Sequence, residues 1–62
     1  MVDFIITMRD GSTLQGQTDD VEWLDFCEQL ISEPWANLQS TENQSVYWIH
    51  TSCVSYVWSK PV

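Results

Sequence analysis

The stretch from Asp19 to Glu33, DDVEWLDFCEQLISE, constrains the fold more than any other part of the chain. At 100° per residue, Trp23, Leu24, Phe26, Cys27, Leu30 and Ile31 fall within a stripe roughly 160° wide, as on the core-facing side of a surface helix. Opposite lie Glu22, Asp25, Glu28, Gln29, Ser32 and Glu33. Asp19 is placed to accept a backbone N–H as the N-cap while Glu22, three residues on, reaches back in a capping box. Asp20 adds negative charge where the helix dipole is positive, and Pro34, with its ring and missing N–H, ends the pattern. One helix with a greasy side and an acidic side follows.

The flanking segments alternate with the period of strands. Val2 to Met8 sets Val2, Phe4, Ile6 and Met8 on one face against Asp3, Ile5 and Thr7. A two-residue loop at Asp10-Gly11 would place Ile6 opposite Gln15. A three-residue loop, Arg9-Asp10-Gly11, instead pairs Ile6 with Leu14 and Met8 with Ser12. The second register buries apolar against apolar, so a G1-bulge loop with Gly11 in the left-handed conformation is expected. Gly16 then opposes Phe4 and leaves room for its ring or for the helix above.

After Pro34, Trp35 to Ser40 is a weaker strand, since Ala36 and Asn37 are poor strand formers. Thr41 to Gln44 is a polar turn. Ser45 to Thr51 is a strand with Val46 and Trp48 on one face and Tyr47 and Ile49 on the other. A tight connection near Thr51-Ser52 leads to a last strand, Cys53 to Trp58, in which Val54, Tyr56 and Trp58 alternate with Cys53, Ser55 and Val57. The expected fold is a single α+β domain over residues 1–62, a small antiparallel sheet with one amphipathic helix. Both late strands carry large apolar residues on both faces, and one helix covers one face. The other face, led by Trp48, Tyr56 and Trp58, is expected to be exposed or to self-associate. Closure into a small barrel is the alternative.

Charge excludes several partners. Nine acidic residues against Arg9 and Lys60 give a formal net charge of −7, and two separated cations make no phosphate-binding footprint. Direct nucleic-acid binding and an anionic membrane surface are therefore not expected, and no apolar run approaches the roughly 20 residues of a membrane span. The hydrophobic share of 44%, with four tryptophans, argues equally against disorder. Cys27 and Cys53 have neither CxxC nor Cys/His spacing, so two buried, reduced thiols and a cytoplasmic setting are expected. At this length a core is near the lower limit of self-sufficiency, which favours a homo-oligomer.

Catalytic patterns are lacking. His50 is the sole histidine, and strand alternation sets it apart from Thr51, Ser52 and Cys53. The helix carboxylates lack a pocket that would shift their acidity, and a cleft of about 300 Å³ has little room in so short a chain. No calcium loop or glycine-rich phosphate cradle is present, so no metal or other cofactor is expected. The chain is not expected to be an enzyme.

Two segments resemble the bacterial Sm-like RNA chaperone family. Gly11-Ser12-Thr13-Leu14-Gln15-Gly16-Gln17 is similar to that family's second strand. Val46-Tyr47 through Lys60-Pro61-Val62 is similar to its closing strands, with a Tyr followed closely by His. This resemblance implies an Sm-like or SH3-like barrel as the alternative fold. The family's lysine beside the histidine and its basic rim have no counterpart here. The order strand, Asp-Gly turn, strand, acidic helix, two strands also resembles small accessory proteins of phages and prophages. That resemblance implies a regulator or inhibitor of a host defence or nucleic-acid-handling protein, acting in the host cytoplasm.

The expected function is a non-enzymatic acidic binding module. Asp19, Glu22, Asp25, Glu28 and Glu33 would occupy a basic groove on a host protein, substituting for phosphates. The alternatives are an oligomeric accessory protein assembled through Trp48, Tyr56 and Trp58, and an oligomer that binds a small ligand between subunits.

Overall fold

A computed structural model describes residues 1–41 and 44–62. The elements run β1 (Val2–Met8), β2 (Thr13–Thr18), α1 (Asp20–Ser32), β3 (Trp35–Gln39), β4 (Val46–His50), a 3-10 turn (Thr51–Cys53) and β5 (Val54–Pro61). The strands form two antiparallel sheets, one ordered β2-β1-β5 and the other β3-β4. The α+β class and the order β-β-α-β-β-β are as the sequence implies.

The first hairpin adopts the register that buries apolar against apolar. Ile6 pairs with Leu14 and Phe4 with Gly16. The Met8 N–H donates to the Ser12 carbonyl at 2.8 Å and the Gly11 N–H to the Met8 carbonyl at 3.0 Å, closing the three-residue loop. Gly11 has φ +92°, a conformation open to glycine at little cost. At Gly16 a Cβ would lie 3.4 Å from Phe4 Cζ, an ordinary contact, so the ring packs over this position without requiring a glycine there.

Phe4, Ile6, Phe26, Ala36 and Leu38 are fully enclosed, and Val2, Trp23 and Ile49 complete the core. The Phe4 and Trp23 rings stack at 5.4 Å, joining β1 to α1, and Trp23 meets Phe26 at 5.5 Å. Buried Thr18 links the two sheets: its hydroxyl donates to the Gln39 carbonyl at 2.8 Å. The Thr41 N–H donates to the Gln17 carbonyl nearby. These bonds lace one corner, yet β2 does not pair with β3 nor β4 with β5 among the described residues. The barrel alternative is thereby corrected: the sheets do not close.

The helix starts as expected, with Asp19 Oδ1 accepting the Glu22 N–H at 2.8 Å. The reciprocal half of the capping box does not form. Glu22 Oε1 instead accepts the backbone N–H of Gln39 at 3.1 Å, and Gln29 Oε1 accepts that of Asn37 at 2.9 Å. Both donors lie on the edge of β3 away from β4, so two helix side chains satisfy a strand edge that would otherwise stand open. At the other end the Thr51 hydroxyl donates to the Glu33 carbonyl at 2.8 Å, occupying one of the helix's orphan acceptors.

This edge bonding rotates the helix. Leu24 and Ile31, expected in the core stripe, are 64% and 90% exposed, while Glu22 and Gln29 are half-buried against β3. The buried line runs through Trp23, Phe26 and the partly buried Leu30, roughly 50° from the centre of the apolar stripe at 100° per residue.

In the last strand a register shift breaks the expected alternation. Met8 pairs with Val54 and Thr7 with Tyr56, leaving Ser55 as the extra residue of a bulge. Val54 and Val57 therefore both pack against the core, whereas Tyr56 and Trp58 both face outward. Of the expected turn over residues 41–44, Glu42 and Asn43 lie outside the described residues.

Candidate interaction surfaces

Three surfaces carry apolar side chains beyond what the core uses. The first is the outward face of α1, where Val21, Leu24, Glu28 and Ile31 follow one another at three- and four-residue steps. Such steps align side chains along one side of a helix. Asp25 and Glu28 stand exposed among them. The five expected acidic site residues thus divide. Asp25 and Glu28 face solvent freely, Asp19 holds the N-cap, Glu22 holds the β3 edge, and Glu33 is the exposed C-cap residue. Leu24 and Ile31 fit the spacing of a wide core stripe, which hides them in the sequence, and Val21 lies outside that stripe.

The second surface is the outward side of β3 and β4. Trp35, Val46 and Trp48 are 52%, 49% and 66% exposed there, and Trp48 stands across from Asn37. The third is the outward side of the three-stranded sheet, where Tyr56 and Trp58 face out opposite Thr7 and Ile5. The expected exposure of Trp48, Tyr56 and Trp58 is observed, but Trp48 belongs to one sheet and the other two to the second.

His50 lies in a local turn. The 3-10 turn carries the Ser52 hydroxyl to 2.6 Å from His50 Nδ1, with the Ser52 N–H at 3.4 Å from the same atom. Alternation alone would have kept these groups apart; the turn interrupts it. The imidazole caps the turn with Nδ1 and meets the Trp35 ring edge-on at 4.9 Å. Among the described residues no group is bonded to Nε2, so a nucleophile and a base are adjacent without an orienting third group.

Both cysteines are free thiols. Cys53 is exposed, which corrects the expectation that both are buried, because it sits in the turn ahead of β5. Cys27, on α1, is half-buried against the core, and burial pushes its thiol above the ordinary value of 9.0. A concavity of about 480 Å³ is lined by Asp19, Glu22, Gln39, Ser40, Thr41 and Gln44. It is an open groove between the helix start and the end of β3. Among the described residues no three metal-ligating side chains cluster, and no helix is long and apolar enough to cross a membrane.

No protein-family model matches the chain, no curated protein matches it, and no solved structure matches its fold.

Proposed function

We propose that the chain is a non-enzymatic binding module whose outward helix face docks a cationic, amphipathic protein surface. The exposure of Val21, Leu24 and Ile31 around Glu28 carries this reading. A solvated helix needs none of the three, and burying each against a partner is worth about 1.5–3 kcal/mol. Glu28 and Asp25 select the partner's sign. With a net charge of −7, steering adds to the on-rate for a basic protein and repels acidic ones. In an accessory protein of the phage type, the partner is a basic host protein and occupying its groove inhibits it.

Capture from a cell lysate on immobilised protein, repeated with two variants, tests the reading. Leu24→Ser/Ile31→Ser and Asp25→Asn/Glu28→Gln are both expected to lose the same basic partner that the unaltered chain retains. A partner held equally by all three proteins would overturn the assignment to this face.

A further inference from the structure

We infer that the free edge of β4 is a self-pairing edge, joining two copies antiparallel about a twofold axis through Trp48. The ladder between β3 and β4 is framed by bonds from the Thr51 N–H to the Pro34 carbonyl and from the Ser40 N–H to the Ser45 carbonyl, each 2.9 Å. Backbone groups alternate sides along an antiparallel strand, so those of Val46, Trp48 and His50 point away from β3. Among the described residues no strand lies on that side.

The chain guards the edges of β3 and β5 and one end of β2. Glu22 and Gln29 bond the free edge of β3, and the outer edge of β5 carries the Ser55 bulge and Pro61. The outer edge of β2 receives the Thr41 N–H at Gln17. Bulges, prolines and covering side chains are the devices that keep strand edges from pairing. β4, with sequence VYWIH, has none of them.

A second copy of this chain fits that edge. The outward-pointing residues 46, 48 and 50 are symmetric about Trp48, so antiparallel pairing sets Trp48 against its own copy and Val46 against the copy's His50. Every N–H and C=O of the three then finds a partner. Neither β4 nor the adjacent β3, WANLQ, carries a charged side chain. Two chains of net charge −7 can therefore meet here without carboxylates opposed across the seam. The product is a four-stranded sheet, β3-β4-β4-β3, with Trp35 and Trp48 of both copies on one face. A seam made of one strand pair with Trp35, Val46 and Trp48 beside it is expected to dissociate on dilution. This pairing is independent of the helix face proposed above, which stays free in the dimer's geometry on the far side of β3.

Sedimentation velocity across a dilution series, with amide hydrogen exchange at high and low concentration, tests it. The expected result is a monomer–dimer equilibrium with the amides of Val46, Trp48 and His50 gaining protection as concentration rises. Trp48→Lys, at an exposed position, is expected to weaken the dimer at least about tenfold while the fold persists. Trp58→Lys, on the other sheet, is expected to leave it unchanged. A monomer at every concentration, a dimer that survives Trp48→Lys, or protection gained at β5 instead would each overturn the inference.

Discussion

Gln29 Oε1 accepts the backbone N–H of Asn37 at 2.9 Å, and this bond, with its counterpart from Glu22 to Gln39, sets which side of the helix meets β3. A side chain here does the work of a neighbouring strand. The helix turns its apolar stripe partly away from the core to make these bonds, and that rotation exposes Leu24 and Ile31.

Gln29→Ala leaves the half-buried Asn37 N–H without its acceptor and is expected to cost about 1–3 kcal/mol. Glu22→Gln keeps an acceptor oxygen for Gln39 and is expected to change stability by less than Glu22→Ala does. Urea unfolding of the three variants checks both statements. Equal stability of Gln29→Ala and the unaltered chain would remove the bond from the account.

The exposed helix residues should matter little to folding. Leu24→Ser and Ile31→Ser are expected to stay within about 0.5 kcal/mol of the parent, as surface substitutions do. Phe26→Ala, on the opposite and fully enclosed side of the same helix, is expected to cost about 3–5 kcal/mol and so to unfold much of the protein. Thermal denaturation by circular dichroism distinguishes these outcomes.

Gly16 lies against the Phe4 ring. An added Cβ would sit 3.4 Å from Cζ and 3.6 Å from Cε2, which is ordinary contact. Gly16→Ala is therefore expected to be neutral or to stabilise by up to about 1 kcal/mol through the loss of backbone freedom in the unfolded chain. Gly16→Val drives further methyl groups towards the ring and is expected to destabilise by about 1–3 kcal/mol. Chemical denaturation of the pair provides the check.

The first turn carries a pH signature. The Asp10 carboxylate accepts the Ser12 hydroxyl at 2.6 Å and the Ser12 N–H at 2.8 Å, and these bonds hold its acidity below the ordinary value of 3.8. Because the folded value is depressed, the unfolded chain binds more protons between the two values. The contribution is therefore present above pH 3.8 and disappears as pH falls through the folded value. Carboxyl-detected NMR titration is expected to place the Asp10 midpoint below 3.8, and Ser12→Ala to move it upward. An unchanged midpoint in that variant would contradict the assignment.

The sequence was legible where local rules act alone. Apolar pairing selected the Ile6–Leu14 register, Asp19 marked the helix start, and alternation separated Val46 and Trp48 from Tyr47 and Ile49. It was not legible where a long-range polar bond competes with hydrophobic pattern. Glu22 carries the spacing of a capping box, and nothing local reveals that the Gln39 N–H, distant in sequence, takes its carboxylate instead. Likewise Ser55 is an ordinary strand residue in sequence, and the bulge that turns Val54 inward beside Val57, away from the side of Tyr56 and Trp58, appears only against the register of β1. The candidate site was half visible: Asp25 and Glu28 could be read from charge, whereas Leu24 and Ile31 looked like core.

The most direct measurement is the affinity of the captured basic partner for the unaltered chain and for Asp25→Asn/Glu28→Gln, titrated at about 50 and 300 mM salt, across which the screening length shortens. The unaltered chain is expected to lose affinity at least about tenfold over that range, and the neutralised variant to bind more weakly at low salt and respond much less to salt. Affinity that is equal in the two proteins and indifferent to salt would contradict an acidic, partner-selecting helix face.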